Sequence, residues 1–322
     1  MKLRMVLVCA AVFAVAIAGC ESLTAPESDE LTDQDLAALK ELILSDPLYT
    51  NDPAMLNDGD DPSRSYAALG ITATPIIPIA WGRNITNVGR DVTFERLNDT
   101  TLIATLTHTL EGTVFIVAKY PTDDTARTVV RKPLTEVTVR KIKLERVAPL
   151  AARSDSGRKG FRPAEVSATK GGTTNAQATI TKMEVNVGSE TIVITDPTEY
   201  FMKIHPEGRG GRPPVFTTGP RENITVRVTL TSAEPDTEWV SIHRPLALMA
   251  GRPEGIRPAH ARMTLVSQTQ TGSTYERVFE TSWESVVQGR LAFFVTALTH
   301  NSLYDDQAAF SSQIWGVPYI AR

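Results

Sequence analysis

Three kinds of side chain in this sequence could do chemistry: five histidines, two cysteines, and several clusters of like charge. The histidines are His108, His205, His243, His260 and His300, and none lies three to five residues from another. There is no HExxH pair, no cysteine-based cluster and no facial-triad spacing, so the sequence patterns of zinc and non-haem iron enzymes are missing. Neither a G-x-S-x-G nucleophile elbow nor a phosphate-binding Walker loop occurs. His108 falls on the apolar register of a strand and reads as a core or edge histidine. Two acidic groups could offer oxygens to calcium: Asp58, Asp60 and Asp61 around Gly59, and Asp305 with Asp306. The first lacks the EF-hand spacing and its distal glutamate, so a solvated acidic loop is the simpler reading there, as a polar turn is at the second. Arginines collect in the C-terminal half, where Arg209, Arg212, Arg221, Arg244, Arg252, Arg257 and Arg262 alternate with glycine and proline. Guanidinium groups suit carboxylate or phosphate. Arg209, Arg212, Arg244, Arg252 and Arg257 are therefore candidates to hold an acidic partner or a polyanionic glycan from loops. No catalytic constellation is recognisable, and the expectation is a protein that is not an enzyme and needs no cofactor beyond an optional calcium.

Cys20 has the most specific setting. Lys2 and Arg4 precede an uninterrupted apolar run of 13 residues, Met5 to Ile17, followed by the small residues Ala18 and Gly19. A membrane-spanning helix needs about 20 apolar residues, so this run is an export signal rather than a span. The sequence Ile17-Ala18-Gly19-Cys20 resembles the lipobox of bacterial lipoproteins. That resemblance implies cleavage before Cys20, a diacylglycerol on its thiol and a fatty acyl chain such as palmitate on the new N-terminus. Two or more chains anchor a protein lastingly where one binds only marginally. Glu21 follows the cysteine in place of the aspartate that marks inner-membrane retention in that family. The resemblance therefore favours the outer membrane or the cell surface.

Removing the first 19 of 322 residues leaves 303, enough for two domains. With Lys2 and Arg4 gone, the 33 basic residues become 31 against 37 acidic, a net charge of −6. That balance argues against nucleic acid as a partner. Cys9 lies in the signal and Cys20 would carry lipid, so no disulfide is expected. From residue 20 to about 64 the chain is strongly acidic, which suits a solvated tether. Within it Thr32 and Asp35 form a helix-start pattern, and Leu36, Leu39, Leu42, Ile43 and Leu44 give an apolar helical stripe that ends at Asp46-Pro47. Asn51 to Pro62 reads as turn-rich.

From Ile71 onward the text is β. Asp91 to Leu97, Thr101 to Leu110, Thr113 to Tyr120, Ala126 to Arg131, Leu134 to Val147 and Phe161 to Ser167 read as strands, with turns expected at Asn98-Asp99 and Glu111-Gly112. One helix and a meander of long strands resemble, in element order only, the curved sheets of the cystatin and NTF2-like folds. Glycine and polar residues then place a boundary near Gly171-Gly172. Beyond it, Ala178 to Val187, Glu190 to Thr195, Ile224 to Ser232, Glu238 to His243, Arg262 to Gln270, Tyr275 to Ser282 and Gly289 to Leu298 suggest an Ig-like β-sandwich without the Ig cysteines. The expected fold is mainly β: a signal (1–19), a lipidated cysteine with tether and helix (20–64), an α+β curved sheet (65–170) and a sandwich (171–322). The expected function is a lipid-anchored envelope protein that binds or assembles, through an envelope protein, a glycan or copies of itself. The alternatives are a structural subunit of a surface polymer, and an unfamiliar enzyme or ligand pocket in the first domain.

Overall fold

The computed structural model describes residues 31–58, 75–121, 123–146, 160–204, 217–219, 221–246, 257–284 and 289–322. The signal, the lipobox and the start of the tether lie outside these residues. Helix α1 (Asp33–Ser45) begins at Thr32 through a reciprocal capping box: the Asp35 N–H donates to the Thr32 hydroxyl, and the Thr32 N–H donates to the Asp35 carboxylate. Leu39 and Ile43 of its apolar stripe are fully buried. The stretch beyond, expected to be turns, continues as two short helices, α2 (Pro47–Thr50) and α3 (Asp52–Leu56). Pro47 and Pro53 sit in their first turns, where a missing N–H costs nothing.

Three long strands follow as an antiparallel meander, β1 (Ile77–Asn98), β2 (Thr101–Tyr120) and β3 (Asp123–Arg146). The turn between β1 and β2 is held by the Asn98 side chain, which accepts from the Thr100 N–H and hydroxyl. No turn forms at Glu111-Gly112, where β2 runs straight through. A Cβ on Gly112 would lie 2.0 Å from the Asn84 carbonyl oxygen, next to an irregularity in β1 between Ile85 and Asn87. The glycine is there because two backbones approach closely, not because the chain reverses. Pro133 likewise fails to interrupt β3, because at that point β3 pairs, among the described residues, with a strand on one side only.

The remaining elements are β4 (Phe161–Ser167), β5 (Thr169–Gly172), β6 (Ala178–Val187), β7 (Glu190–Ile194), β8 (Phe201–Lys203), β9 (Thr217–Thr218), β10 (Asn223–Ser232), β11 (Trp239–Leu246), β12 (Arg257–Arg262), β13 (Thr264–Thr271), β14 (Thr274–Glu284), β15 (Gly289–Leu298), α4 (His300–Tyr304) and β16 (Ser312–Ala321). Among the described residues, eleven strands form one sheet along the path β1-β2-β3-β5-β16-β15-β11-β12, with β4, β8 and β9 attached beside it. Five form the other, in the order β13-β14-β10-β6-β7. The fold is mainly β, with antiparallel sheets and few helices, and is consistent with a β-sandwich.

The large sheet draws strands from both halves of the chain, and the expected boundary at Gly171-Gly172 falls inside it. β5 pairs with β3 on one side and β16 on the other. A Cβ on Gly171 would meet the Val137 carbonyl oxygen at 2.4 Å, and one on Gly172, at φ +137°, the Ser312 carbonyl oxygen at 2.2 Å. What reads in the sequence as a linker is thus a strand squeezed between two neighbours.

Packing sorts most of the interior into two apolar clusters. In the first, Met183, Val185, Val226, Val228, Phe279 and Trp283 of the small sheet meet Phe293, Val295, Trp315 and Val317 of the large one, and Leu39 and Ile43 of α1 join it. Trp283 meets Phe293 edge-on at 5.4 Å. The second holds Met55, Leu56, Trp81, Leu110, Ile116, Leu134, Phe294, Leu298 and Phe310.

Candidate functional site

A belt of buried polar groups crosses the large sheet between these clusters. Along β2 one face reads Leu102, Ala104 and Leu106 in the first cluster, then His108, then Leu110 and Val114 in the second. Along β3 the same face reads Ile142 and Leu144, then Arg140, Thr138 and Glu136, then Leu134 and Lys132. Alternation forces this face inward whatever residues it carries.

Three ionic anchors make up the belt. At one, the Arg140 guanidinium lies 3.0 Å from Asp52 of α3 and donates to Thr169 at 2.9 Å and to the Leu48 carbonyl at 2.7 Å, which ties α2 and α3 to the sheet. Burial raises the pKa of Asp52, and the charge of Arg140 and a hydrogen bond from Thr169 pull it back. His108 beside it is buried, its Nε2 has no hydrogen-bond partner, and burial with the charges of Arg140 and Arg90 pushes its pKa down to about 4. At the second, the Lys132 ammonium donates to the carbonyls of Ser302, Asp305 and Ala308 at 2.8, 2.6 and 2.7 Å. Burial lowers its pKa to about 8 against the pull of Asp305 and Asp306.

The third anchor is the densest. Arg83 and Glu136 are fully buried and paired, Nε to Oε2 at 3.0 Å and Nη2 to Oε1 at 3.1 Å. Glu136 also accepts from the Ser312 hydroxyl at 2.5 Å, and Arg83 donates to Thr296 at 3.2 Å. Nη1 of Arg83 lies 3.2 Å from Nε2 of His243. Guanidinium can only donate, so this imidazole accepts at Nε2 and carries its proton on Nδ1. That Nδ1 faces Asp58, 3.6 Å away, while the other Asp58 oxygen accepts the Arg83 backbone N–H at 2.8 Å. Burial would raise the pKa of Asp58, but the His243 Nδ1–H that faces it and the charge of Arg83 hold it below the usual value. His260 stacks on His243 at 4.5 Å and lies edge-on to Trp81 at 4.5 Å. Burial, aided by the charge of Arg83, pushes its pKa down to about 3.

An imidazole oriented by a carboxylate is the arrangement of a general base. Here the nitrogen that would take a proton is occupied by Arg83, and Arg83, Glu136 and His243 are all sealed from solvent. The two imidazole planes are stacked 11° from parallel, and both Nδ1 atoms face one Asp58 oxygen, at 3.6 Å from His243 and 3.9 Å from His260. No group of three or more His, Cys, Asp or Glu among the described residues forms a metal-ligand set. The cluster can fix six strands and the segment ending at Asp58 in one arrangement.

No family model matches this chain, and no curated protein matches it. Among solved structures, a three-domain fragment of extended synaptotagmin 2 aligns over 88% of this chain and 96% of that one, at 9% identity and a TM-score of 0.10. A superposition that poor carries no argument about fold or function.

The residues singled out in the sequence fall in different places. Cys20, Asp60, Asp61, Arg209, Arg212 and Arg252 lie outside the described residues, and Arg257 is placed on β12 without a described side chain. Arg244 is on a strand, β11, with its guanidinium 5.7 Å over the Trp283 ring. Arg262, at the end of β12, lies 4.0 Å over Trp239. Asp58 belongs to the Arg83 anchor. Asp305 accepts the N–H groups of Gln307 and Ala308 in a local turn and its carbonyl accepts from the Lys132 ammonium, while the buried Asp306 carboxylate has no hydrogen-bond partner among the described residues. Arg83, Glu136, Thr296 and Ser312 were not singled out in the sequence, and His243 only as one of five scattered histidines, because no two of these residues are close in the chain. A cavity of about 120 Å³ between α2, α3 and β15, lined by Leu48, Asp52, Met55 and Leu291, is small beside ordinary ligand sites of roughly 300–1,000 Å³.

Proposed function

We propose that this chain is a lipid-anchored cell-envelope protein whose β body binds or assembles without catalysing a reaction. The observation that carries the reading is the sequence Ile17-Ala18-Gly19-Cys20 directly after a charged start and a short apolar run. Support also comes from the acidic segment after Cys20, which suits a spacer between bilayer and body. The closed geometry at His243 gives a base no route to a substrate, and it fits a rigid scaffold better than a reaction centre. The outer membrane or the cell surface is the proposed location.

The test is Cys20→Ser in cells grown with a labelled fatty acid. The native chain incorporates the label and follows the membrane fraction, whereas the variant incorporates none. Equal labelling, or a native chain without label, overturns the proposal.

A further inference from the structure

A sheet edge presents unpaired N–H and C=O groups, and proteins guard such edges with charge, proline, short length or a covering segment. The first half of β1 is covered: the Asp58 N–H donates to the Arg83 carbonyl at 2.9 Å, and the Ile85 N–H donates to the Asn57 side chain at 3.3 Å. Its second half carries Arg90, Asp91, Glu95 and Arg96. β12 carries Arg257, Pro258 and Arg262, and β7 is five residues long and begins with Glu190. β13 differs from all of these. Its eight residues, Thr-Leu-Val-Ser-Gln-Thr-Gln-Thr, contain no charge, no proline and no glycine, and every one is exposed. Among the described residues it pairs with β14 alone, through an irregularity at Val266 after which Ser267 to Thr271 run in unbroken register. Leu265 and Val266 are 39% and 50% exposed.

We infer that β13 pairs antiparallel with β13 of a second copy of this chain, about a two-fold axis at Thr269. Ser267-Gln268-Thr269-Gln270-Thr271 reads nearly the same in both directions. A two-fold pairing therefore sets Thr269 against Thr269, Gln268 against Gln270 and Ser267 against Thr271, with no like charges opposed. The amides are complementary as well. Gln268 uses its oxygen to accept from Arg277 at 2.8 Å, which leaves its N–H₂ to donate. Gln270 uses its N–H₂ on the Gly272 carbonyl at 3.0 Å, which leaves its oxygen to accept. In the paired register each free donor faces a free acceptor, twice over. Arg277 is itself buried and held by Glu238 at 2.7 Å, so Gln268 is set in place before a partner arrives. The union turns two five-stranded sheets into one of ten. This inference names the partner in the assembly reading and does not depend on the lipid anchor.

The test uses full-length chain carrying Thr269→Cys, exposed to mild oxidant in membranes or in detergent. Residues opposed across an antiparallel pair have Cα atoms about 4.5–5.5 Å apart, within disulfide reach. A covalent dimer is expected at least about tenfold over Thr191→Cys on the opposite edge strand β7. The native chain, with Cys9 and Cys20 only, reports any link made through those thiols. Sedimentation of Thr269→Lys, which opposes two ammonium groups, is expected to show half the native mass with an unchanged circular dichroism spectrum. Equal cross-linking at both edges, a native mass of one chain across the concentration series, or a Thr269→Lys chain that stays paired overturns the inference. Failure of the lipid anchor would instead appear as every variant in the soluble fraction, with cross-linking still readable.

Discussion

On β3, the residues Lys132, Glu136, Thr138 and Arg140 are buried on a single face, and each charged one has a designated partner. On β13, eight exposed residues carry no charge at all. The usual arrangement is the reverse, with ions outside and uncharged strands within. Buried ions contribute little net stability, since desolvation costs several kcal/mol per ion, but they penalise any arrangement that breaks a pair. The belt thus favours one docking of α2, α3 and the segment near Asp58 on the sheet over all others. At the edge the absence of charge works the other way, because nothing there repels a second strand.

The largest break in this contrast is expected at the third anchor. Arg83→Met or Glu136→Leu alone leaves a buried charge without its partner and should cost about 3–5 kcal/mol in denaturant unfolding. The double variant should recover most of that loss, and single and double costs that simply add would deny the pairing. Next comes Lys132→Met, which strips the donor from three carbonyls. It should cost roughly 2–4 kcal/mol and speed hydrogen exchange in residues 299–311 before the rest of the chain.

Acid gives a smaller, graded effect. His108 and His260 have folded pKa values of about 4 and 3, below the 6.5 of an ordinary histidine, so the unfolded chain takes up their protons first. Their contribution is fully present above pH 6.5 and is lost as pH falls from 6.5 toward 4 and 3. Within that window the slope is at most about 1.4 kcal/mol per pH unit for each histidine. Thermal unfolding at about pH 7 and pH 5 checks it, and His108→Leu should flatten the dependence by about half. The smallest change in stability belongs to Thr269→Lys, within about 0.5 kcal/mol because the residue is exposed, although this variant should alter the mass most.

The small sheet was the more legible of the two. β6 occupies Ala178–Val187 as its alternation indicates, and β7, β10, β13 and β14 lie within two residues of expectation at each end. The α1 cap was also readable, because Thr32 and Asp35 act on each other locally. The large sheet was harder. On β3 the chain buries Glu136, Thr138 and Arg140 and leaves Val137 and Val139 half-buried, a facing that the strand's extent alone does not indicate. For Glu136, only partners 53 and 176 residues away make that face tolerable, and spacing along one chain does not show them. Gly112, Gly171 and Gly172 misled for a related reason, since glycine marks a close approach as readily as a turn. In the candidate site, Asp58 was visible as an acid, but its role depends on Arg83 and His243.

A lipid on Cys20 is what would hold this chain at a membrane. The most direct measurement is the mass of the N-terminal peptide released by protease from membrane-associated chain. A peptide that begins at Cys20 and is heavier by a diacylglycerol and a fatty acyl group is the expected result. An unmodified Cys20, or an N-terminus elsewhere, would contradict it.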